Sequence, residues 1–311
     1  MKLFFNIKGI FRSLFPFSPS LKKIFKTLQN DKWKNRSDAA YIEDRVNYYC
    51  KLDSIHNLKN SVPLTHFRFP KKNSAYYFDT FKYSSLFPQN LRASFEFGDV
   101  NYFFQTPTIT KSRPIKEDSK GDYKNSVLLN LDKFRHFSFI KDSIPFALKK
   151  DLLFYRGGIY QEHRIKFFDK YFNHPLCDIG HTGSGDICAS YLKPKVKKKF
   201  FLLHKFILAL EGNDVASNLK WVMNSNSIAV MPRPKYETWF MEGRLKGDYH
   251  YIEIDSNYSN LDEKLNFYIK NPTKAENIIF NANKFVEQFL DKEREDLISL
   301  LVLEKYFKFT N

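Results

Sequence analysis

Residues 206–231 read FILALEGNDVASNLKWVMNSNSIAVM. The order is an apolar run suited to a buried strand, a turn at Gly212-Asn213-Asp214, a helical stretch over Val215 to Met223, and a second apolar run, Ser227 to Met231, stopped by Pro232 and Pro234. Strands alternating with helices in this way argue for a parallel α/β sheet. Asn213 or Asp214 suits the helix cap, because a short side-chain oxygen accepts from an early helix N–H. Gly212 lets the backbone turn sharply off the strand. Free N–H groups and the positive end of the helix dipole make such a turn an anion site, with Ser217 one turn in and Lys220 close by. A sugar-nucleotide diphosphate would suit it. A plain strand–turn–helix linker has the same pattern.

The same alternation extends outward from this stretch. Upstream, Leu152 to Tyr155 is a strand ending in Arg156-Gly157-Gly158, Glu162 to Tyr171 is a helix carrying Arg164, and Leu176 to Ile179 is a short strand. Ligands of open α/β sheets sit beyond the carboxyl ends of the strands, where Arg156 would meet a phosphate and Gly157 would let backbone approach it. A surface arginine beside a tight turn is the alternative. The loop Lys193 to Lys199 is strongly basic, a phosphate or membrane contact or else a solvated loop. Downstream come a strand at His250 to Ile254 and helices over Leu261 to Ile269 and Lys274 to Phe307. In the first half, strand-like runs occur at Ser74 to Phe78, Ala93 to Phe97 and Tyr102 to Gln105. Thr106 to Asn125 reads as loop, Ser126 to Leu131 as a buried strand, Asp132 to Ser138 as a short helix, and Lys141 to Lys150 as a connector. These elements describe an α/β protein of two domains.

A chain of 311 residues with 43% hydrophobic content can build two cores of ordinary size. Its net charge of +16 creates a field that attracts nucleic acid, anionic lipid or phosphorylated substrates, without choosing among them. Three cysteines, Cys50, Cys177 and Cys188, supply no disulfide framework and suit a reducing compartment. No apolar run reaches the roughly 18–20 residues that span a bilayer. The stretch Met1 to Phe17 mixes Leu, Phe and Ile with Lys2, Lys8 and Arg12. It suits an interfacial helix on an anionic membrane, or an ordinary first helix packed on its domain. Nucleic-acid modules find no match: there is no paired Cys/His finger, RNP-like signature or helix-turn-helix.

Two further groups carry possible chemistry. Gly98-Asp99 follows the run Ala93 to Phe97, so Asp99 stands at a strand end, where a carboxylate can take a proton from an attacking hydroxyl. Gly-Asp is also a common turn. His174, Cys177, His181 and Cys188 are residues of zinc-ligand type. However, Cys177 falls in a predicted strand whose neighbouring side chains point to opposite faces, and no paired C-x2-C element is present. No metal site is expected.

The series Phe154-Tyr155-Arg156-Gly157, Arg164, Cys177-Asp178-Ile179-Gly180 and Leu210 to Trp221 resembles glycosyltransferase family 90, and Tyr236-Glu237-Thr238-Trp239 and Asp248-Tyr249-His250-Tyr251 continue the likeness in order. Its bacterial lipopolysaccharide glycosyltransferases are the most similar members; capsule-associated and protein O-glucosyltransferases are more distant. The resemblance implies a GT-B fold, two Rossmann-type domains facing a cleft with a long C-terminal helical segment. The implied division is an acceptor-side domain at 1–145, a nucleotide-sugar-binding domain at 146–285, and a C-terminal helix at 286–311 packing back toward the first. It implies an inverting, metal-independent transfer of a hexose or pentose from a nucleotide-diphosphate sugar, a UDP-sugar foremost, to a lipopolysaccharide or lipooligosaccharide core. No cofactor is implied beyond the nucleotide sugar as co-substrate. Capsule or protein acceptors remain alternatives, as does a non-catalytic basic protein binding membrane or nucleic acid.

Carried over residue by residue, Arg156, Gly157, Arg164, Gly212, Asn213, Asp214, Ser217 and Lys220 belong to the donor site and Asp99 is the base, with Glu96 its rival. One departure stands out: where eukaryotic relatives have an arginine contacting the diphosphate, this chain has Leu219, with Lys220 beside it. The expected location is cytoplasmic, peripheral on the anionic inner-membrane face.

Overall fold

The structure is a computed structural model that describes residues 19–58, 61–67, 74–115, 123–184 and 186–311. The Met1–Phe17 stretch and Gly121 of the expected loop lie outside the described residues. Along the chain come α1 (Pro19–Gln29), α2 (Ala39–Tyr49), β1 (Val62–Pro63), α3 (Ser74–Ser84), β2 (Arg92–Ala93), β3 (Phe95–Glu96), β4 (Thr108–Thr110), β5 (Ser112–Pro114), β6 (Ser126–Leu128) and α4 (Lys133–His136). Then follow β7 (Lys150–Gly157), α5 (Glu162–Tyr171), β8 (Cys177–His181), α6 (Lys198–Phe201), β9 (His204–Leu208), α7 (Leu219–Met223) and β10 (Ile228–Met231). The last elements are β11 (Tyr236–Thr238), β12 (Ile252–Glu253), α8 (Leu261–Lys270), α9 (Pro272–Glu287) and α10 (Lys292–Thr310). The molecule is α/β. Its chain divides into two compact units, one of Met1–His136, Tyr236–Glu242 and Phe289–Asn311, the other of Phe137–Lys235 and Gly243–Gln288.

The second unit is built on a five-stranded parallel sheet of order β12-β10-β9-β7-β8. Counted 1 to 5 in chain order, these strands lie 2-1-3-4-5, the doubly wound order whose direction reverses between its first and third strands. Side chains alternate across the sheet. Leu153, Tyr155, Phe206, Leu208, Ile228, Val230 and Ile252 pack with Phe167, Phe168 and Tyr171 of α5 and Leu261 and Leu265 of α8. On the other face, Phe154 meets Phe201 edge-on at 4.9 Å, and Phe201 meets Trp221 of α7 at 5.5 Å.

The first unit holds a three-stranded parallel sheet, β3-β4-β6, and two antiparallel pairs, β1-β2 and β11-β5. Helix α10 packs on α1, α2 and α3. Among the described residues, Arg113 and Arg45 form buried ion pairs here. Arg113 of β5 donates to Glu237 of β11 at 2.7 Å and to the carbonyls of Ser126 and Tyr48 at 2.8 and 2.7 Å. Arg45 of α2 pairs with Glu295 of α10.

Several sequence expectations need correction. Ser74 to Phe78 is not a strand but the start of α3; Tyr76 to Thr80 are all buried, so no apolar face distinguishes the helix from a strand. Tyr102 to Gln105 is irregular, and Tyr102 is exposed. The expected loop from Thr106 contains β4 and β5; Lys111 between them and Arg113 of β5 are buried in ion pairs. The expected helix from Lys274 to Phe307 is two helices. Asp291 restarts the second, its carboxylate accepting from the Arg294 N–H at 3.0 Å. Among the described residues no helix is long and apolar enough to cross a membrane.

Candidate active site

In a doubly wound sheet the ligand crevice opens at the carboxyl ends of the strands flanking the reversal. Here those strands are β7 and β9. β7 ends at Gly157-Gly158, and the chain leaving β9 runs through Leu210, Glu211 and Gly212. Arg164, in the first turn of α5, ties the two together. Its Nη1 donates to the Gly158 carbonyl at 2.7 Å, its Nε to Glu211 at 2.8 Å and its Nη2 to Leu210 at 2.7 Å. A guanidinium carries five N–H donors; three of these are used, and two remain for an anion. Gln161 at the helix cap donates to the Asn213 side chain at 3.0 Å. His163 donates from Nε2 to the Glu211 carbonyl at 2.8 Å, and burial holds its imidazole below the ordinary histidine pKa, so it is neutral at pH 7.

Two glycines have steric reasons to be here. A Cβ on Gly157 would come within 2.6 Å of the buried Tyr155 side chain. A Cβ on Gly212 would stand 3.3 Å from Arg164 Nη2.

The expected helix cap at Asn213 or Asp214 is absent. The Gly212 N–H bonds to the Asp214 carbonyl at 2.8 Å, Val215 and Ala216 are buried, and α7 begins only at Leu219 after Asn218. Asn218 spends its side-chain amide on the Leu208 carbonyl at 2.9 Å. The five-residue α7 brings no helix terminus to this turn; the one that adjoins it belongs to α5. Ser217 is exposed, whereas Asp214, Leu219 and Lys220 are buried. Arg156 is engaged elsewhere. It donates to the Asp178 carboxylate at 2.7 Å and the Asp178 carbonyl at 2.9 Å, and lies 4.5 Å from the Phe154 ring. Lys193 also reaches Asp178, at 2.9 Å. Burial alone would raise this carboxyl, yet the two cations hold its pKa below the usual value. The structure thus gathers Gly157, Arg164, Gly212 and Asn213, and assigns Arg156 to bracing β7 against β8.

Within the first unit, the carboxyl ends of β3, β4 and β6 collect a second charged group. Gly98, with φ +134° in the left-handed region, turns the chain off β3 and presents Asp99. Ser112 holds this turn, accepting from the Val100 N–H at 3.1 Å and donating to its carbonyl at 3.0 Å. Asp99 Oδ1 lies 2.6 Å from Lys111 Nζ and 3.1 Å from Arg135 Nη2, and Arg135 Nε lies 2.9 Å from Asp132. The Asp99 side chain keeps 32% of its surface exposed, while that of Lys111 keeps 2%. Burial opposes ionisation of Asp99, but Lys111 and then Arg135 outweigh it and hold the carboxyl below the ordinary carboxylate pKa. Glu96 is exposed, one turn of chain earlier. Lys111, Asp132 and Arg135 are not evident as site residues from sequence, because only the strand order brings them to Asp99.

The residues of zinc-ligand type are occupied in other contacts, His174 and Cys177 lying 3.9 Å apart. His174 stands 3.3 Å from Asp262, and burial pushes the neighbouring Cys177 thiol up to about 12. His181 accepts from the Ile159 N–H at 3.2 Å, and the Cys188 thiol lies 3.8 Å from the Ile159 carbonyl. Among the described residues no three such side chains gather as a metal site. The turn at Asp248 is likewise internally bonded: its N–H reaches the Tyr251 carbonyl at 2.7 Å and its carboxylate accepts from Tyr268 at 3.0 Å.

Comparison with known proteins gives two findings. The model of the family described as glycosyl transferase family 90 matches residues 188–311, from Cys188 through α10. The O-glucosyltransferase LpsA of Dichelobacter nodosus is 39% identical over 307 residues, which cover 98% of this chain and 95% of that protein. The chain belongs to glycosyl transferase family 90 and is a glycosyltransferase.

Proposed function

We propose that this glycosyltransferase moves a hexose or pentose from a nucleotide-diphosphate sugar, a UDP-sugar foremost, to a lipopolysaccharide or lipooligosaccharide core, with inversion and without a metal. The observation that carries the donor half is Arg164, fixed by three backbone carbonyls at the crevice between β7 and β9 with N–H groups to spare. Together with the N-terminus of α5, it supplies fixed positive charge where a leaving diphosphate would gather negative charge. Gly157, Gly212 and Asn213 border the same place. The glucosyl group in the relative's name supports a hexose, and the likeness of Leu210 to Trp221 to bacterial lipopolysaccharide transferases supports the acceptor. The overall arrangement we infer is GT-B, with the unit of α5 on the donor side and the unit of Asp99 on the acceptor side. The site of action we infer is cytoplasmic, peripheral on the inner membrane.

In the proposed reaction, Asp99 takes the proton of the acceptor hydroxyl. The resulting oxygen lone pair forms a bond to the anomeric carbon, and the bond from that carbon to the phosphate oxygen breaks, its electron pair leaving with the nucleoside diphosphate. The test is a thermal-shift panel of nucleotide sugars, since a ligand that binds only the folded state raises its stability. One nucleotide sugar should raise the melting temperature equally with and without EDTA. Arg164→Ala should weaken its binding by about ten- to a hundred-fold, since hydrogen bonds to charged groups are worth about 1.5–3 kcal/mol. Wild-type affinity in a folded Arg164→Ala protein would refute the donor site, and a response that requires a divalent ion would refute metal independence.

The Asp99 assignment has a pH signature. A cation beside a carboxylate favours its ionised form, so removing Lys111 must raise the Asp99 pKa. Lys111→Met should therefore move the acid limb of kcat/KM upward by about one to three pH units. A limb that stays in place would detach the titration from Asp99.

A further inference from the structure

We infer that the amino-terminal edge of the β7–β9 sheet is a docking surface for a bilayer containing anionic lipid. Leu148, Phe200 and Leu203 are large apolar side chains left 77%, 40% and 37% exposed. They belong to one surface. The Lys150 N–H bonds to the Leu203 carbonyl at 2.8 Å, and Leu203 in turn bonds back to Phe200 at 3.3 Å. Lys149 turns inward beneath them to Asp142 and the Leu202 carbonyl.

What surrounds the apolar group identifies its partner. Lys150, Lys197 and Lys199 are exposed around it, and Lys195 lies just before them in the chain. The neighbouring carboxylates are neutralised, Asp142 by Lys149 and Asp151 by Lys205. Exposed aliphatic and aromatic tips framed by lysines that pair with no carboxylate among the described residues match the interface of an anionic bilayer, where the tips enter the acyl boundary and the ammonium groups meet phosphate. A second protein chain would satisfy the apolar tips alone and offers no reason for the one-signed charge. The candidate donor crevice lies at the opposite end of the same strands. β7 is eight residues long, which separates the two by about 25 Å at the usual strand rise. A docked membrane would leave the crevice open.

The test is co-sedimentation of the full chain with vesicles of phosphatidylcholine alone or mixed with phosphatidylglycerol, at low and high salt. The wild type should pellet with the mixed vesicles only, and less at high salt. Lys150→Gln/Lys199→Gln should bind about thirty-fold more weakly, two cations at about 1 kcal/mol each. Leu148→Ser/Leu203→Ser should lose binding at both salt concentrations. Circular dichroism and the nucleotide-sugar thermal shift should be those of the wild type, which reports folding independently of lipid. The inference is overturned by wild-type indifference to phosphatidylglycerol, by either pair of substitutions pelleting like the wild type, or by preference for a nucleic-acid duplex over mixed vesicles. Loss of the nucleotide-sugar response in the wild type would count against the donor reading and leave the vesicle result standing.

Discussion

Asp99→Asn is expected to cut the turnover of sugar transfer by about a hundred- to ten-thousand-fold, the usual contribution of a positioned general base. The amide is nearly the same size and can still bond Lys111, so the Gly98 turn and its Ser112 clamp should persist. What disappears is the proposed proton acceptor. The thermal shift produced by the nucleotide sugar should be unchanged, because the proposed donor contacts lie with Arg164 in the other unit. Glu96→Gln is the matched control: Glu96 is exposed on β3 and should tolerate amidation with little effect. Near-normal turnover in Asp99→Asn, or a collapse in Glu96→Gln, would move the base from Asp99 to its neighbour. As the proposed base, Asp99 has an unusual setting. Burial opposes its ionisation, but Lys111 and Arg135 outweigh burial and hold the carboxyl below the ordinary carboxylate pKa. The same cations would lower its proton affinity, so the proposed reaction would draw on the leaving group as much as on the base.

How far the sequence disclosed this arrangement depends on where each signal resides. Helix α5 is legible at both ends, Glu162 and Tyr171, because its apolar period is local and Gly157-Gly158 marks the strand before it. Strands β7, β8 and β10 are legible for the same reason, as short apolar runs between turn residues. Helix α3 is not, since burial on nearly all sides erases its period. Strand β5 is hidden differently. Arg113 reads as a loop charge until Glu237, far along the chain, is brought to 2.7 Å from it. The candidate donor crevice shows the same limit. Arg164 is prominent in sequence, but the groups that aim it are the backbone carbonyls of Gly158, Leu210 and Glu211, which no residue type announces. The Gly212 turn also misleads about helix position. Val215 and Ala216 fit a helical pattern, yet they are buried in the turn, and the helix waits until Leu219.

Glu295→Ala should lower the stability of the first unit by about 3–5 kcal/mol, the cost of leaving a buried charge without its partner. Arg45 is wholly buried, its guanidinium held by both Glu295 oxygens, by Tyr49 Oη at 2.7 Å and by the Phe289 ring at 4.8 Å. The same carboxylate accepts from Trp239 Nε1 at 2.5 Å, and Trp239 stacks on Tyr49 at 3.9 Å. Removing it therefore strands a guanidinium and an indole N–H together, in the place where residues 39–49, 236–242 and 289–311 meet. For a unit of this size the melting temperature should fall by roughly 10 °C, which calorimetry would read directly. Arg45→Met combined with Glu295→Leu should recover most of the loss, because apolar side chains of similar volume replace a buried pair at little cost. If the single substitution melts like the wild type, the pair is not the clasp its burial implies. The comparison also separates two meanings of the Tyr236–Trp239 motif. Glu237 and Trp239 are consumed by Arg113 and by this cluster, so substitutions there should reduce folded protein in proportion to lost stability and leave the nucleotide-sugar affinity of the folded fraction unchanged.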